Sequence, residues 1–328
     1  MSLPAKARQW FYPERNSYND LVLAEIPLPA VKSHEVLVKT HAVSLQYRDL
    51  LVAKASYPGV VQPNLVPCSD MAGEIIAVGA EVKNWKVGDR VSANFILDKL
   101  HDEMTAEIAA TGLGGSQQGV LTEYRTFPAH SLVAIPAPLS YEEAATLPSF
   151  SPLKAGDTIL VLGTGGVSIF ALQFAIASGA TVIALSSSDE KLKAVKKLGA
   201  KHVINYKTMP QWDEEVMKLT NGVGVDRVVE VSGNTTLERS IASVKFNGSI
   251  DLIGHLSGGG PPVDVILPAI RKGLKFRGVF KDMNRLIEAN VAITRPVIDK
   301  IFPFEQAKDA YAYLESQAHV GKVVINIS

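Results

Sequence analysis

The sequence predicts an α/β protein of two domains, a β-rich first part followed by a doubly wound parallel sheet. Three observations carry that prediction. The chain has 328 residues, long for one domain, and chains near this size bury roughly 75% of the surface they expose when unfolded. Up to residue 135 it consists of short runs rich in β-branched residues, punctuated by Pro, Gly and Asn. From Asp157 the rhythm changes to strands alternating with helices, as in a parallel sheet covered on both faces.

In chain order, "EVLVKTHAVSL", "MAGEIIAVGAEV", "GDRVSANFIL" and "GVLTEYRTFPAHSLVAIP" read as strands of the first domain. Between them, "DKLHDEMTAEIAATGLGGSQQG" reads as a helical excursion followed by a mobile loop. In the second part "TILVLG", "TVIALS", "HVINY", "RVVEVSG", "GSIDLIG" and "KFRGVF" are buried-strand candidates. The helix candidates between them are "FALQFAIASG", "EKLKAVKKLG", "WDEEVMKLTNG" and "LERSIASVK". The tail, "IFPFEQAKDAYAYLESQAHVGKVVINIS", predicts one amphipathic helix and a last strand.

Composition narrows the partners. Lys plus Arg and Asp plus Glu number 33 each, so the formal charge is balanced. No basic excess points to nucleic acid or an anionic membrane. Cys68 is the single cysteine, which removes an intrachain disulfide and any multi-cysteine zinc site. No apolar run approaches about 18 residues, so no membrane span is expected. The N-terminal "MSLPAKARQWFYPERNSYND" lacks the apolar core of a signal peptide, and the expected location is cytoplasmic.

"GTGGVS" follows an apolar strand and opens an apolar helix, the context a phosphate-binding fingerprint requires. Gly163 permits the tight turn and Gly165 lets backbone approach a pyrophosphate. Thr164, Gly166 and Val167 complete the turn and the helix N-terminus that faces the anion. Ser168 stands where a third glycine usually packs helix on strand. The next strand ends at Ser186, Ser187 and Ser188 rather than at the acidic residue that grips a ribose 2′-hydroxyl. Serine leaves room for a 2′-phosphate, which Lys191 can reach and to which Tyr206 can donate its hydroxyl. The cofactor expected is therefore NADP(H), the alternative for Lys191 being a solvated helix lysine. After the fifth strand, Ile253, Gly254 and His255 offer backbone contacts on the nicotinamide side. His255 is either a proton shuttle or a loop residue satisfied by water.

With these segments in view, the chain resembles the medium-chain dehydrogenase/reductase superfamily. Within it, the chain is similar to the zinc-independent, quinone-oxidoreductase-like branch often labelled zinc-type alcohol dehydrogenase-like. The resemblance rests on "SLQYRDLL", "VPCSDMAGEIIAVG", "WKVGDRV", "EEAATLP", "GDTILVLGTGGVSIFALQFA", "KLGAKHVINY" and "HVGKVVI". It implies a GroES-like catalytic domain over residues 1–135, a Rossmann NADP-binding domain over 136–295, and a C-terminal return to the catalytic domain over 296–328. It also implies a substrate cleft between domains and a homodimer through the edge strand "LKFRGVF".

Zinc-using relatives place a cysteine and a His-Glu pair around the metal, and the matching positions here are Gln46, Ser69 and Asp70. These make a poor zinc site, so no metal is expected. A carbonyl would then be polarised by hydrogen bonds, with Gln46 and Tyr47 as the catalytic candidates. Their alternatives are a loop-bracing amide and a half-buried packing tyrosine. Arg48 and Asp49 read as braces, and Cys68 as packing. Two segments that the resemblance implies near the nicotinamide are short here, around Ser149–Pro152 and Phe280–Lys281. Either they are deleted or the numbering closes over a chain break. The expected activity is NADPH-dependent reduction of a quinone or an α,β-unsaturated carbonyl. A metal-free alcohol or aldehyde dehydrogenase, or an NADP(H)-binding protein with weak or no turnover, stays open.

Overall fold

The computed structural model describes residues 3–99, 105–147, 155–254, 256, 260–277 and 291–327. It divides into two units, Met1–Leu147 with Ile298–Ser328, and Pro148–Val297. The proposed shortenings at Ser149–Pro152 and Phe280–Lys281, and His255, lie outside the described residues.

The first unit opens with an antiparallel hairpin, β1 (Lys6–Phe11) and β2 (Val22–Pro27). Its main sheet takes β3 (Glu35–Leu45), β4 (Asp70–Val78), β5 (Arg90–Ala93), β6 (Tyr124–Pro128) and β7 (Leu132–Ala134). The second unit holds β8 (Thr158–Leu162), β9 (Thr181–Ser186), β10 (His202–Asn205), β11 (Val225–Glu230), β12 (Val244–Leu252) and β13 (Lys275–Arg277). The tail supplies β14 (Ile298–Pro303) and β15 (Lys322–Asn326), which close the first sheet in the order β14-β15-β3-β4-β5-β7, with β6 also on β3.

β3 is long because Val36, Val38, Val43 and Leu45 all reach one core, where they meet Met71, Ile75, Phe127, Val323, Ile325 and Tyr311. The sequence reading broke the chain at residue 135; the structure keeps the following turn with the first unit. There a short helix, Tyr141–Ala144, is capped by Ser140, whose Oγ accepts from Glu143 N–H. The Tyr141 ring stacks on His41 at 4.2 Å, and Asn326 Nδ2 donates to Glu142 at 2.8 Å. The glycine-rich loop expected to be mobile is stitched down instead. Leu113 is fully buried, Gln117 N–H donates to Gly112 O, and Gly119 N–H to Val66 O.

Among the described residues, the second sheet runs β10-β9-β8-β11-β12-β13, all parallel. The helices Gly166–Ala177, Asp189–Lys197, Trp212–Leu219 and Asn234–Ser243 carry the chain between strands. Gly166–Ala177 is buried from Ser168 to Ala175, so it needs no polar face. From β8 the chain moves outward to β9 and β10, then returns to the far side of β8 as β11. The strand order reverses there, and open sheets of this kind take ligands at the carboxyl ends beside that reversal.

Candidate functional site

The turn after β8 has the geometry of an anion cradle. Gly163 has φ +77°, a left-handed backbone that disfavours side chains. Gly165 is the N-cap of the helix Gly166–Ala177. A Cβ at Gly163 or Gly165 would meet nothing within 4 Å. Thr164 is buried, while Gly166 and Val167 begin the helix whose N–H groups face this space. Ser168 explains its own presence: buried, it donates Oγ–H to Leu162 O at 2.6 Å and ties helix to strand. Open space at a helix N-terminus fits a cofactor pyrophosphate.

At the ends of β9 and β10 the structure brings Ser186, Ser187, Lys191 and Tyr206 to one edge. Ser186 pairs with Asn205 in register, and Tyr206 N–H donates to Ser186 O at 3.1 Å. Ser188 caps the helix Asp189–Lys197, its Oγ accepting from Lys191 N–H. Ser187 and Lys191 are half-buried, and the Tyr206 side chain is exposed. Asp189 at this helix start accepts a hydrogen bond from Asn205 Nδ2 at 2.8 Å.

Sequence reasoning missed Glu230, which closes β11 next to β8. Its side chain is wholly buried. Oε1 accepts from Ser232 N–H (2.9 Å), Gly233 N–H (3.1 Å) and Thr236 Oγ1 (2.8 Å), and Oε2 from Ser240 Oγ (2.5 Å). Four donors on one carboxylate fix the loop 231–233 beside the glycine turn. The signal was a charge ending the apolar run "RVVEVSG", since Glu is seldom buried unless fully partnered. Ile253 and Gly254 donate their N–H groups to Glu230 O at 2.9 and 3.3 Å, so these donors brace the loop rather than await a cofactor.

In the first unit the polar candidates gather where β3 ends and β4 begins. Gln46 is the N-cap of the helix Tyr47–Ala53. Its N–H donates to Asp49 Oδ2 at 2.8 Å, and Asp49 N–H returns a bond to Gln46 O. Gln46 Nε2 donates to Asp70 Oδ2, while Ser69 Oγ donates to Asp70 Oδ1 at 2.8 Å. Tyr47 is half-buried against the core. The Arg48 guanidinium lies between the Tyr57 and Phe95 rings at 4.5 and 4.9 Å, and Nη2 donates to Gly114 O. Arg48 thus braces three segments, and its Nη1 sits 3.9 Å from Asp49 Oδ1. Cys68 is buried beside Tyr311, Sγ to OH 3.4 Å, and burial raises its pKa, so it packs rather than attacks.

Asp49 gives a pH-dependent expectation. Burial pushes its carboxyl up to about 7, opposed chiefly by Arg48. A raised folded-state value means that its contribution to stability is present below the unfolded value, near 4, and lost as pH rises through about 7. Thermal melts should therefore show wild-type stability falling between roughly pH 4 and pH 7, with that component absent from Asp49→Asn. Equal pH slopes for the two proteins would refute the assignment.

The same cluster does not suit zinc. Both Asp70 oxygens already accept hydrogen bonds from Gln46 and Ser69, amide and hydroxyl are weak zinc donors, and Lys322 lies buried close by. Among the described residues no group of three or more His, Cys, Asp or Glu is placed to hold a metal ion. No described helix is long and apolar enough to cross a membrane.

Comparison with known proteins agrees with this geometry. Residues 32–137 match the alcohol dehydrogenase GroES-like domain, and residues 166–291 match the zinc-binding dehydrogenase family. A zinc-type alcohol dehydrogenase-like protein of Schizosaccharomyces pombe is 44% identical, over 96% of this chain and 97% of that one. The chloroplastic NADPH-dependent alkenal/one oxidoreductase of Arabidopsis thaliana is 30% identical, over 99% of this chain and 80% of its own. A crystal structure from Sinorhizobium meliloti 1021, provisionally named an alcohol dehydrogenase, superposes with TM-score 0.87 at 36% identity, covering 99% of this chain and all of that one, 100%.

Proposed function

The chain belongs to the medium-chain dehydrogenase/reductase superfamily of nicotinamide-dependent oxidoreductases, and from that premise we propose that it uses NADPH, without zinc, to reduce quinones or α,β-unsaturated carbonyls. The observation that carries the reading is the carboxyl end of the second sheet. An open glycine turn suits a pyrophosphate, and at the ends of the next two strands serines, a lysine and a phenol replace the usual acid. A 2′-phosphate bound by Lys191 and Tyr206 gains charge-assisted hydrogen bonds that a bare ribose lacks. The relative named as an NADPH-dependent alkenal/one oxidoreductase supports the same choice.

Bound NADPH would supply the hydride. The protein's part is to orient the acceptor and to stabilise the oxygen that becomes negative as hydride arrives at the β-carbon or the quinone ring. Tyr47, or a water it orders, donates to that oxygen, and Gln46, held by Asp70, fixes the neighbouring polar surface. A saturated alcohol would demand stronger alkoxide stabilisation than these neutral donors give, which favours reduction over a metal-free alcohol dehydrogenase. We also infer a homodimer formed at β13, an edge of its sheet, beside the exposed Ile266, Leu267 and Ile270.

The test is cofactor oxidation against a panel holding a quinone, an enone and an aldehyde, with NADPH and NADH in parallel and metal content measured. The expected result is turnover with NADPH in metal-free protein. Combining Lys191→Ala with Tyr206→Phe should lower the NADPH-to-NADH ratio of kcat/KM at least about tenfold, the worth of one or two charge-assisted bonds. Equal use of both cofactors by the parent, or dependence on added zinc, would refute the proposal.

A further inference from the structure

β15 is apolar between two polar ends, Lys322 and Asn326. Val323, Val324 and Ile325 are fully buried, and so, at 3% exposure, is Lys322. Its Nζ has no hydrogen-bond partner among the described residues. An ammonium without a partner is costly to bury, and an apolar side chain of similar volume there would cost less. Stability alone therefore does not account for this lysine. Buried charges retained at such a cost concentrate at functional sites.

The sheet register says what the lysine faces. Val324 lies opposite Ser44 in β3, and Ser44 lies opposite Asp70 in β4. Side chains alternate along a strand, so Lys322, two residues before Val324, shares their face in the next row, where β3 gives way to Gln46. Burial pulls its pKa below the usual lysine value, and the groups that oppose this and favour its charged form are Asp70 first and Asp49 second. Asp70 is the carboxylate that receives Gln46 Nε2 and Ser69 Oγ.

We propose that Lys322 is a positioning residue: its ammonium holds the Asp70 carboxylate, which holds the Gln46 amide, so that Gln46 and adjacent Tyr47 keep a fixed attitude toward the substrate carbonyl. The inference rests on the assignment of Gln46 and Tyr47 to that carbonyl, but its central contact is open to measurement without turnover. An amide donating to an ionised carboxylate has a displaced side-chain resonance. In protein labelled with ¹⁵N-glutamine, the Gln46 signal is identified by its loss in Gln46→Leu.

In Lys322→Met, which removes the charge at similar volume, the Gln46 signal should move toward its position in Asp70→Asn, with the melting temperature no lower than the parent's. Turnover with the best acceptor should fall at least about tenfold in kcat in each single variant, with KM for NADPH within about twofold. The double variant should be no worse than either alone, because the two residues act through one contact. An unmoved Gln46 signal, additive losses, or a Lys322→Met protein that fails to fold would each overturn the proposal. If the parent reduces nothing on the panel, the proposed activity fails by itself, and the resonance still decides the role of Lys322.

Discussion

Replacing Gly165 by valine should weaken NADPH binding at least about 100-fold, equivalent to about 2.7 kcal/mol, while the melting temperature stays within a few degrees of the parent. Gly165 has φ −72° and ψ 172°, extended backbone open to any residue, and a Cβ there meets no atom within 4 Å. The polypeptide itself does not require glycine at this position. A requirement for glycine there would have to come from outside the chain. A valine would project into the space that a pyrophosphate needs in order to approach the helix N-terminus. Gly163 makes the contrast, because its φ of +77° strains any side chain whether or not cofactor is present. Gly163→Ala should thus lower stability itself, by about 1 kcal/mol. Calorimetric titration with NADPH beside thermal melts separates the two variants. A Gly165→Val protein that binds NADPH as tightly as the parent would show that the phosphates lie elsewhere.

The parallel sheet was legible because its inner strands β8 and β9 are buried on both faces, while the outer β10 is partly covered. "TILVLG", "TVIALS" and "HVINY" are short β-rich runs bounded by turn residues, and all three are strands in the structure. In the first unit "EVLVKTHAVSL" coincides with β3, since its buried positions follow the register of two neighbouring strands. The hairpin Lys6–Phe11 and Val22–Pro27 escaped because its residues are mixed and mostly half-buried or exposed, with only Ala7 and Trp10 of the first strand buried. The helix Tyr141–Ala144 is a single turn held by its cap and by tertiary contacts, too short to show a period.

Legibility at the site divided along the same line. The glycine turn and serine run announce themselves, because backbone conformation and helix starts are local properties. Lys322 and Asp70 share a face only through a sheet that joins the last strand to β3 and β3 to β4. Nothing in the spacing of "HVGKVVI" and "VPCSDMAG" reveals that their charges share it. Gln46 shows the limit most clearly. The residue was picked from sequence as a group presented to substrate, yet one of its amide donors is committed to Asp70, a partner that only the β3–β4 pairing brings within reach.

Glu230→Leu should cost about 3–5 kcal/mol of folding stability, and Glu230→Gln only about 1 kcal/mol. The reason is the count of donors left behind. In the parent, one carboxylate receives the N–H groups of Ser232 and Gly233 and the hydroxyls of Thr236 and Ser240. Thr236 also reaches Gly233 O at 3.2 Å, so its hydroxyl has a second acceptor. Leucine offers the two backbone N–H groups no acceptor in place of the carboxylate. Glutamine keeps one acceptor oxygen for the loop, and its NH₂ can donate to Ser240 Oγ, which rotates to accept. Gly233, at φ 94°, turns the chain only while those bonds hold it, so loss of the carboxylate should also release the loop beside the glycine turn. Urea denaturation measures the first effect, and the second should appear as weaker NADPH binding in Glu230→Leu under conditions where it stays folded. If leucine and glutamine cost the same, the bonds to Glu230 contribute little and the loop owes its shape to packing. If leucine destabilises but leaves NADPH binding untouched, the loop is a structural clamp remote from the cofactor.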